Sequence, residues 1–414
     1  MAITVFENAF LIDCTGAEPM DGATVVVEDS TIREIVAPGS RSPAFSDARR
    51  MDLGGRTLMP GLIDAHVHLC AVESNPAEQH RQIPPSLVAA KAVRRLEQTL
   101  LQGFTTVRDA GGADYGFREM VEQGVVEGPR VRVSGNHIYQ TGGHGDKRRP
   151  AELCCAIQAT DVGLVGAVAD GCDEVRKVVR EQLRRHADQV KLMCSGGAMS
   201  PGDALETSQF TREEIAVAVT EAAAANRYVM AHAYSGAAVR NAVAAGVRSI
   251  EHGNLMDEDA AGLIRDAGAY LVPTLVTYEA IARNSEKMGV SDFMLEKVDA
   301  AREKGLQSLE YACRAGVKIG LGSDLLGGMF RYQAHELELQ GEVQAAMEVL
   351  LSATRVNAEI MRLNDRIGTV EPGKIADLLV VDGNPLEDLS LFQHPSKLCL
   401  IMKEGRAVKN LLQA

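Results

Sequence analysis

Short apolar runs alternate with helix-like segments along the chain, and this alternation constrains the fold most strongly. Eight runs are expected to form strands, at residues 59–69, 104–109, 131–134, 189–194, 228–234, 249–253, 270–274 and 317–324. Segments of helical composition lie between most of them, among them residues 85–101, 173–187 and 212–226. Strands that alternate with helices form parallel sheets, so we expect an α/β fold whose sheet closes into a (β/α)8 TIM barrel.

The two ends of the chain have a different pattern. Residues 1–58 and 366–414 contain short alternating runs such as ATVVVED and LCLIMKEGRAVKN, separated by Gly, Asp and Pro. This pattern is typical of half-buried antiparallel strands. We therefore predict a small antiparallel β-sandwich formed by both termini (residues 1–58 and 366–414) beside a barrel at residues 59–365.

Charge and composition exclude several classes of partner. The 414 residues include 43 Lys and Arg against 56 Asp and Glu, a net charge of −13 that repels phosphate backbones, so no nucleic-acid partner is expected. Since the chain has no apolar run of 18 residues, no membrane span is expected either. The eight cysteines are scattered without a CxxC motif, and MAITVFENAF lacks an export signal. We expect a cytoplasmic protein with free thiols.

Ionisable residues lie at the ends of the apolar runs. His66 and His68 in MPGLIDAHVHL are two residues apart, so on a strand they project from the same face. The later runs end in the same way, with Lys191, His232, His252 and Asp324. Because barrel enzymes place their active sites at the carboxyl ends of the strands, we expect these six side chains to converge.

Each of these residues alone has an ordinary structural interpretation. A single buried histidine is commonly a hydrogen-bonded core residue, Asp324 follows Gly-Ser as a turn residue does, and a lysine can extend its ammonium into solvent. Four buried imidazoles that face a carboxylate, however, require a cation between them. Imidazole and carboxylate ligands suit zinc and similar divalent ions.

Lys191 differs from the other five residues in charge. A protonated lysine beside metal cations would be repelled and driven to its neutral form. A neutral amine can take up carbon dioxide as a carbamate (N6-carboxylysine), an anionic ligand able to bridge two metals. His66, His68 and Asp324 would then hold one ion. His232 and His252 would hold the other.

On these residues the chain resembles the amidohydrolase superfamily, in particular its binuclear branch with a carboxylated lysine. His66-Val67-His68, Lys191, His232, His252 and Asp324 match the ligand order of that branch. The similarity extends over the full length and includes the C-terminal PGKIADLLVVDGNPL. This resemblance implies a barrel with a terminal β-sandwich, two divalent ions (zinc foremost, with manganese or cobalt accepted) and a homo-oligomeric assembly.

More narrowly, FTTVRDAGG, QTGGHGD, KLMCSGG, MAHAY, IEHGN and GSDLLGG are similar to microbial prolidase-like and Xaa-Arg dipeptidases, an imidazolonepropionase-related group. The resemblance implies hydrolysis of the amide bond of dipeptides or N-acyl-amino acids, including ochratoxin-like amides. In such a site a metal-bridging hydroxide attacks the carbonyl. Asp324 is predicted to act as general base.

Substrate contacts are expected from loops. Residues 136–170 form a long segment without periodicity, in which His144 is a candidate to polarise the scissile carbonyl or contact the substrate carboxylate. Tyr234 is expected on the same face as His232, and Arg331 is a candidate carboxylate clamp. Each has a structural alternative: a surface histidine, a packing tyrosine, a solvated arginine. The run Lys147-Arg148-Arg149 is expected to be solvated surface.

Other functions share part of this pattern. A mononuclear deaminase or an imidazolonepropionase-like ring opener would lack the bridging lysine. A cyclic amidase, lactonase or phosphotriesterase of the same superfamily would keep it. A non-catalytic scaffold would be expected to lose ligands, whereas all six are present here.

Overall fold

The computed structural model describes residues 2–40, 45, 47–148, 151, 162–200 and 202–412. The strands in these ranges are β1 (Ile3–Leu11), β2 (Met20–Glu28), β3 (Thr31–Val36), β4 (Arg49–Asp52), β5 (Thr57–Pro60), β6 (Leu62–Val67), β7 (Phe104–Asp109), β8 (Arg130–Arg132), β9 (Ile138–Tyr139), β10 (Ala167–Val168), β11 (Val190–Met193), β12 (Val229–Ser235), β13 (Ser249–Leu255), β14 (Tyr270–Val272), β15 (Lys318–Ile319), β16 (Leu378–Val381), β17 (Leu398–Lys403) and β18 (Arg406–Asn410).

The helices are α1 (Pro76–Gln82), α2 (Pro85–Leu101), α3 (Tyr115–Glu122), α4 (Gly171–Arg184), α5 (Arg212–Ala224), α6 (Gly236–Ala244), α7 (Glu258–Asp266), α8 (Leu275–Met288), α9 (Asp292–Ala315), α10 (His335–Gly341), α11 (Ala346–Leu351) and α12 (Asn357–Ile360). Short 3-10 helices cover Gly327–Tyr332, Leu389–Gln393 and Pro395–Lys397, and a π-turn at Ser352–Val356 joins α11 to α12. Within the described ranges, the structure has no helix with the length and apolar composition that crossing a bilayer requires.

The middle of the chain forms parallel sheet, as the alternation predicts. Seven strands lie in the order β10-β9-β11-β12-β13-β14-β15, and three in the order β6-β7-β8, with every pair parallel. All residues of β7 and β12 are buried, which is expected for strands covered by helices on one side and by side chains on the other. The predicted α/β fold with a parallel sheet is confirmed.

Several helices begin at a residue whose side chain caps the first turn. Thr211 starts α5 with a capping box, in which its hydroxyl accepts from the Glu214 amide while the Glu214 carboxylate accepts from the Thr211 amide. The side chains of Ser235 and Asp257 cap α6 and α7 in a related way. The predicted helices at 85–101, 173–187 and 212–226 correspond to α2, α4 and α5.

Two details of the predicted strands differ. The expected strand at 317–324 is regular only over Lys318–Ile319, and the rest is an extended segment that carries Asp324. The segment expected to be a loop at 136–170 contains β9 and β10, and β9 pairs with β11. Strands of two residues are too short to produce a detectable sequence period.

Both termini join one sheet of eight strands. Its order is β18-β17-β16-β5-β1-β2-β3, and β4 pairs with β1. Most of its strand pairs are antiparallel, as predicted, but β1 runs parallel to β4 and β5. β5 spans the predicted boundary at residue 58 and pairs with β16, so Met59 belongs to the terminal sheet by its hydrogen bonds. The division of the chain at 58/59 and 365/366 remains a prediction.

A buried guanidinium connects the terminal sheet to the parallel strands. Arg130 in β8 donates to the Asp377 carboxylate at 2.7 Å and to the Glu404 carboxylate at 2.6 Å. Arg130 and Asp377 are 8% and 5% exposed. Since a buried ion pair that loses one partner leaves an uncompensated charge, this contact should matter to stability.

We expect Arg130→Met to lower the free energy of unfolding by about 3 kcal/mol or more. Arg406→Met is the matched control, because Arg406 pairs with Glu127 across the same two units but is 64% exposed on its side chain. That substitution should cost about 1 kcal/mol or less. Urea unfolding of the three proteins measures the difference, and equal losses in both variants would contradict the assignment.

Candidate metal centre and reaction cavity

The structure brings the predicted histidines and Asp324 together at the carboxyl ends of the parallel strands. The ring centroid of His66 lies 5.4 Å from that of His68 and 5.0 Å from that of His252. The rings of His232 and His252 are 4.6 Å apart. Asp324 Oδ1 lies 3.6 Å from His66 Nε2 and 3.3 Å from His68 Nε2. The convergence inferred from separate strand ends is therefore present in the fold.

The far side of each imidazole has a hydrogen-bond partner. His66 Nδ1–H donates to Glu251 Oε2 at 2.6 Å, and His68 Nδ1–H donates to the Gly111 carbonyl at 2.8 Å. His232 Nε2–H donates to the Gly196 carbonyl at 2.9 Å. An imidazole that donates from one nitrogen keeps a lone pair on the other. His66 and His68 thus direct Nε2 lone pairs towards Asp324.

Burial keeps three of these imidazoles in the neutral form that binds metals. Burial, and then the positive charge of Lys191, holds the pKa of His66 well below its usual range. The same two causes lower the pKa of His232 to about 3, and burial likewise lowers the pKa of His252, aided by the neighbouring His232. The pKa of His68, which burial alone would lower, is raised by the nearby carboxylate of Asp324. Neutral imidazole is the ligating form, so no proton has to be displaced from the first three near pH 7.

Lys191 lies 1% exposed in β11, and burial lowers the pKa of its amine to about 8. Among the described residues, no hydrogen-bond partner meets Lys191 Nζ or His66 Nε2, although both atoms are buried. Orphaned buried polar atoms are costly and rare in folded proteins, so they mark positions where another group belongs.

The donor atoms at this site suit a divalent cation. One ligand atom each from His66, His252 and Asp324 lie within 4.8 Å of one another. Imidazole nitrogens and carboxylate oxygens are the ligands that zinc and similar ions prefer. A cation at this point would also give His66 Nε2 the partner that the protein does not supply.

Backbone strain marks the same place. His252 and Asp324 have φ values of 75° and 49°, and Thr274, whose hydroxyl lies 2.8 Å from His252 Nδ1, has a φ of 50°. Residues other than glycine seldom adopt this left-handed region, and when they do they cluster at functional sites. The amide of Asp324 donates to the His66 carbonyl at 2.8 Å, which fixes the turn that carries the carboxylate.

A cavity of about 70 Å³ opens above the cluster. His68 and Asp324 lie at its floor, and its walls include apolar side chains, namely Leu164, Met193, Ala198, Met199, Ile281 and Leu326.

Two predicted substrate residues line this cavity. The ring of His144 stacks on that of His232 with centroids 4.5 Å apart, and burial holds the pKa of His144 well below its usual range. Tyr234 packs against His252 at 5.0 Å, and its hydroxyl lies 2.7 Å from that of Tyr278. Of the predicted loop at 136–170, residues 149–150 and 152–161 lie outside the described residues.

The basic residues are placed differently from the prediction. Arg331 lies outside this cavity, where its guanidinium packs over the Tyr332 ring and lines a separate groove together with Arg95, so its placement does not support a carboxylate clamp. Lys147 was expected at the solvated surface but lines the cavity above the histidine cluster. Arg149 lies outside the described residues. Burial lowers the pKa of Lys147 to about 8.

Three residues around the site were not found from the sequence. Glu251 contacts His66 from behind, and His137 and Lys147 line the cavity. Glu251 directly precedes His252, and strand alternation places neighbours on opposite faces. The positive φ of His252 breaks that alternation, so both side chains reach His66, one at each side.

Comparison with known proteins identifies the family of this chain. The model of the amidohydrolase family matches residues 57–408. A prolidase crystallised with N-methylphosphonate-L-proline is 42% identical, has a TM-score of 0.94, and aligns over 99% of this chain and 100% of its own. A Xaa-Pro dipeptidase with methionine bound in its active site is 29% identical, with a TM-score of 0.88 over 99% of this chain and 100% of its own.

A third relative is the ochratoxinase of Aspergillus niger, which is 31% identical over 98% of this chain and 87% of its own length. The chain belongs to the amidohydrolase family, and its predicted resemblance to that superfamily, with prolidase-like relatives, is confirmed.

We expect zinc to stabilise protein from which divalent ions have been removed. At a free concentration about 1,000 times the dissociation constant, binding adds about 4 kcal/mol to the free energy of unfolding. His66→Ala should abolish most of this gain. His335→Ala is the matched control, since among the described residues the side chain of His335 pairs with Glu338 on α10 and with no proposed ligand. Thermal unfolding with and without zinc measures the gain, and an unchanged gain in His66→Ala would contradict the ligand assignment.

Proposed function

We propose that the protein is a metal-dependent hydrolase that cleaves the amide bond of dipeptides or N-acyl-amino acids, including ochratoxin-like amides. One observation carries the proposal: a buried cluster of histidines, a lysine and an aspartate has orphaned ligand atoms, and two of its members, His68 and Asp324, line a partly apolar cavity. Similarity to prolidase, Xaa-Pro dipeptidase and ochratoxinase supports amide bonds as the substrate class.

The ligand set would hold two divalent ions, zinc foremost, with manganese or cobalt as alternatives. His66, His68 and Asp324 would hold one ion and His232 with His252 the other, while Lys191, as a carbamate, would bridge them. Bound ions of this kind polarise a carbonyl and acidify water. The buried amine of Lys191, with a pKa of about 8, supports carbamate formation because only the neutral amine takes up carbon dioxide.

Asp324 is the proposed general base. Its side chain is 19% exposed and lines the cavity, whereas the surrounding histidines are nearly fully buried. It is thus the more exposed of the two proposed ligands, His68 and Asp324, that line the cavity. In this role its carboxylate takes the proton of the attacking water and passes it to the departing amine.

His144 is the proposed contact for the scissile carbonyl. Its Nδ1 is buried and meets no hydrogen-bond partner among the described residues, while its ring is held against His232. A neutral imidazole in this position can donate one hydrogen bond to developing negative charge on the carbonyl oxygen. Tyr234, which lines the same cavity, is the proposed second contact to the substrate.

We also infer that the two parallel sheets close one barrel. The Ala65 amide donates to the Leu321 carbonyl at 2.8 Å, which links β6 to the segment after β15. The Asp188 amide donates to the Val133 carbonyl at 2.7 Å, which links the chain after β8 to the chain before β11. These bonds span the two gaps between the sheets. Their presence, together with the family, supports a (β/α)8 barrel.

Hydrolysis of a panel of dipeptides and N-acyl-amino acids with Pro, Arg, Lys, Phe or Leu at the C-terminal position tests the function. We expect metal-dependent release of the C-terminal amino acid, lost after chelation and restored by zinc. Amino-acid analysis of the products measures it. If every linear amide survives while the protein still holds metal, a cyclic amidase, lactonase or phosphotriesterase activity replaces this proposal.

Lys147 is the proposed anchor of the substrate carboxylate, in place of Arg331. Among the described residues that line the cavity, it carries the only ammonium or guanidinium group. Its Nζ donates to the His144 carbonyl at 3.1 Å, which leaves further N–H groups for a ligand. A hydrogen bond to a charged group contributes about 1.5–3 kcal/mol.

We expect Lys147→Met to raise KM for substrates with a free carboxylate by roughly 10- to 100-fold, with a smaller change in kcat. The same substrates with a C-terminal amide should be nearly indifferent to the substitution. Arg331→Met is the matched control and should leave both KM values unchanged. Steady-state kinetics with the paired substrates decides, and a selective loss in Arg331→Met would restore the original assignment.

A further inference from the structure

A buried ion pair lies directly behind one of the proposed metal ligands. Glu251 in β13 accepts from His66 Nδ1–H at 2.6 Å through Oε2, and from Arg108 at 2.9 Å through Oε1. The hydroxyl of Ser249 also donates to Oε1 at 2.6 Å. All four residues have 0% exposure, so solvent does not compete for these bonds.

Arg108 in turn is held in one position. Its Nε donates to the Ala65 carbonyl at 2.6 Å, next to His66, and its second arm donates to Ser249 at 3.0 Å. The guanidinium therefore links β6, β7 and β13. Because a planar guanidinium has a fixed fork of donors, it can fill Oε1 of Glu251 and leave Oε2 to His66.

The geometry points to Glu251, held by Arg108, as a positioning residue that fixes the tautomer and ring orientation of His66. A carboxylate accepts hydrogen bonds and cannot donate one, so the proton of neutral His66 is placed on Nδ1. Nε2 then carries the lone pair and faces Asp324 at 3.6 Å. The inference rests on the proposed function, because its consequence is metal affinity.

The other histidines do not have this arrangement. The rear contacts of His68 and His232 are backbone carbonyls, and that of His252 is the hydroxyl of Thr274. A charged acceptor binds an imidazole N–H more strongly than a neutral one does, and it makes the imidazole a better ligand. Among these four histidines, His66 is thus the one whose rear contact is a charged side chain.

Glu251→Gln is the informative variant because it keeps the shape of the side chain and can replace the hydrogen-bond acceptor that faces His66 with a donor. Arg108 and Ser249 would take the amide oxygen, since both donate to Oε1 at present. The amide NH2 would then face His66 Nδ1 and favour the tautomer with the proton on Nε2, which cannot bind a metal. We expect the zinc dissociation constant, measured by competition with a chelator, to rise about 10- to 100-fold.

Glu336→Gln is the matched control. Glu336 is also a fully buried carboxylate, but it accepts from the Val276 amide and from Gln340 instead of a histidine. Its substitution should leave zinc affinity unchanged. Thermal unfolding of the metal-free proteins shows whether each variant is folded, and this readout is independent of activity.

If Glu251→Gln does not fold, Glu251→Asp takes its place, because it keeps the charge and withdraws the carboxylate by about 1.5 Å. We expect a smaller but measurable loss of zinc affinity in this variant. Wild-type affinity in a folded Gln or Asp variant overturns the positioning role. A wild-type protein that binds no zinc at all overturns instead the proposed function on which the inference rests.

Discussion

The constraint on which the rest of the site depends is that several ionisable side chains are buried together at the carboxyl ends of the parallel strands. His66, His68, His232, His252 and Lys191 are at most 6% exposed, and together with Asp324 they face one another at the strand ends. Unpaired polar atoms in such a place cost several kcal/mol, so a group that completes the arrangement would stabilise it. Divalent cations would do so with the ligand chemistry that these side chains have. The strained backbone at His252 and Asp324 belongs to the same arrangement, because ordinary strand geometry would not bring their side chains inward.

The site is divided into a fixed floor and an adaptable wall. Each histidine of the floor is held from behind, His66 by a carboxylate, His68 and His232 by carbonyls, and His252 by a hydroxyl. The wall includes methionine and aliphatic side chains, which repack easily. Relatives that share this fold include both a prolidase and an ochratoxinase, so the same fold accommodates different substrates.

Much of the fold follows from local pattern. α2, α4, α5 and most parallel strands lie where apolar period and capping residues place them. The pattern does not predict which strands pair when the partners are far apart in the chain. The predicted first barrel strand begins within β5, but β5 pairs with β16 from the other end of the chain. β1 pairs in parallel with β4 and β5, although the alternation in this region suggested antiparallel strands. Hydrogen-bond partners far along the chain leave no trace in local period.

The sequence by itself determined the donor set: the spacing of His66 and His68 and the polar ends of the later strands define ligand chemistry, since residue type fixes what each side chain can bind. Only the tertiary structure decided which basic side chains line the cavity. Lys147 and Arg331 both follow predicted strands, and their positions in the sequence do not tell which of them is near the histidines. In the fold, Lys147 lines the cavity and Arg331 lines a separate groove. It also decided the role of Glu251, because the positive φ of His252 turns the His252 side chain towards His66 while Glu251 contacts His66 as well. The distances between loops and the departures from strand alternation arise from tertiary packing, so they cannot be predicted from the spacing of residues along the sequence.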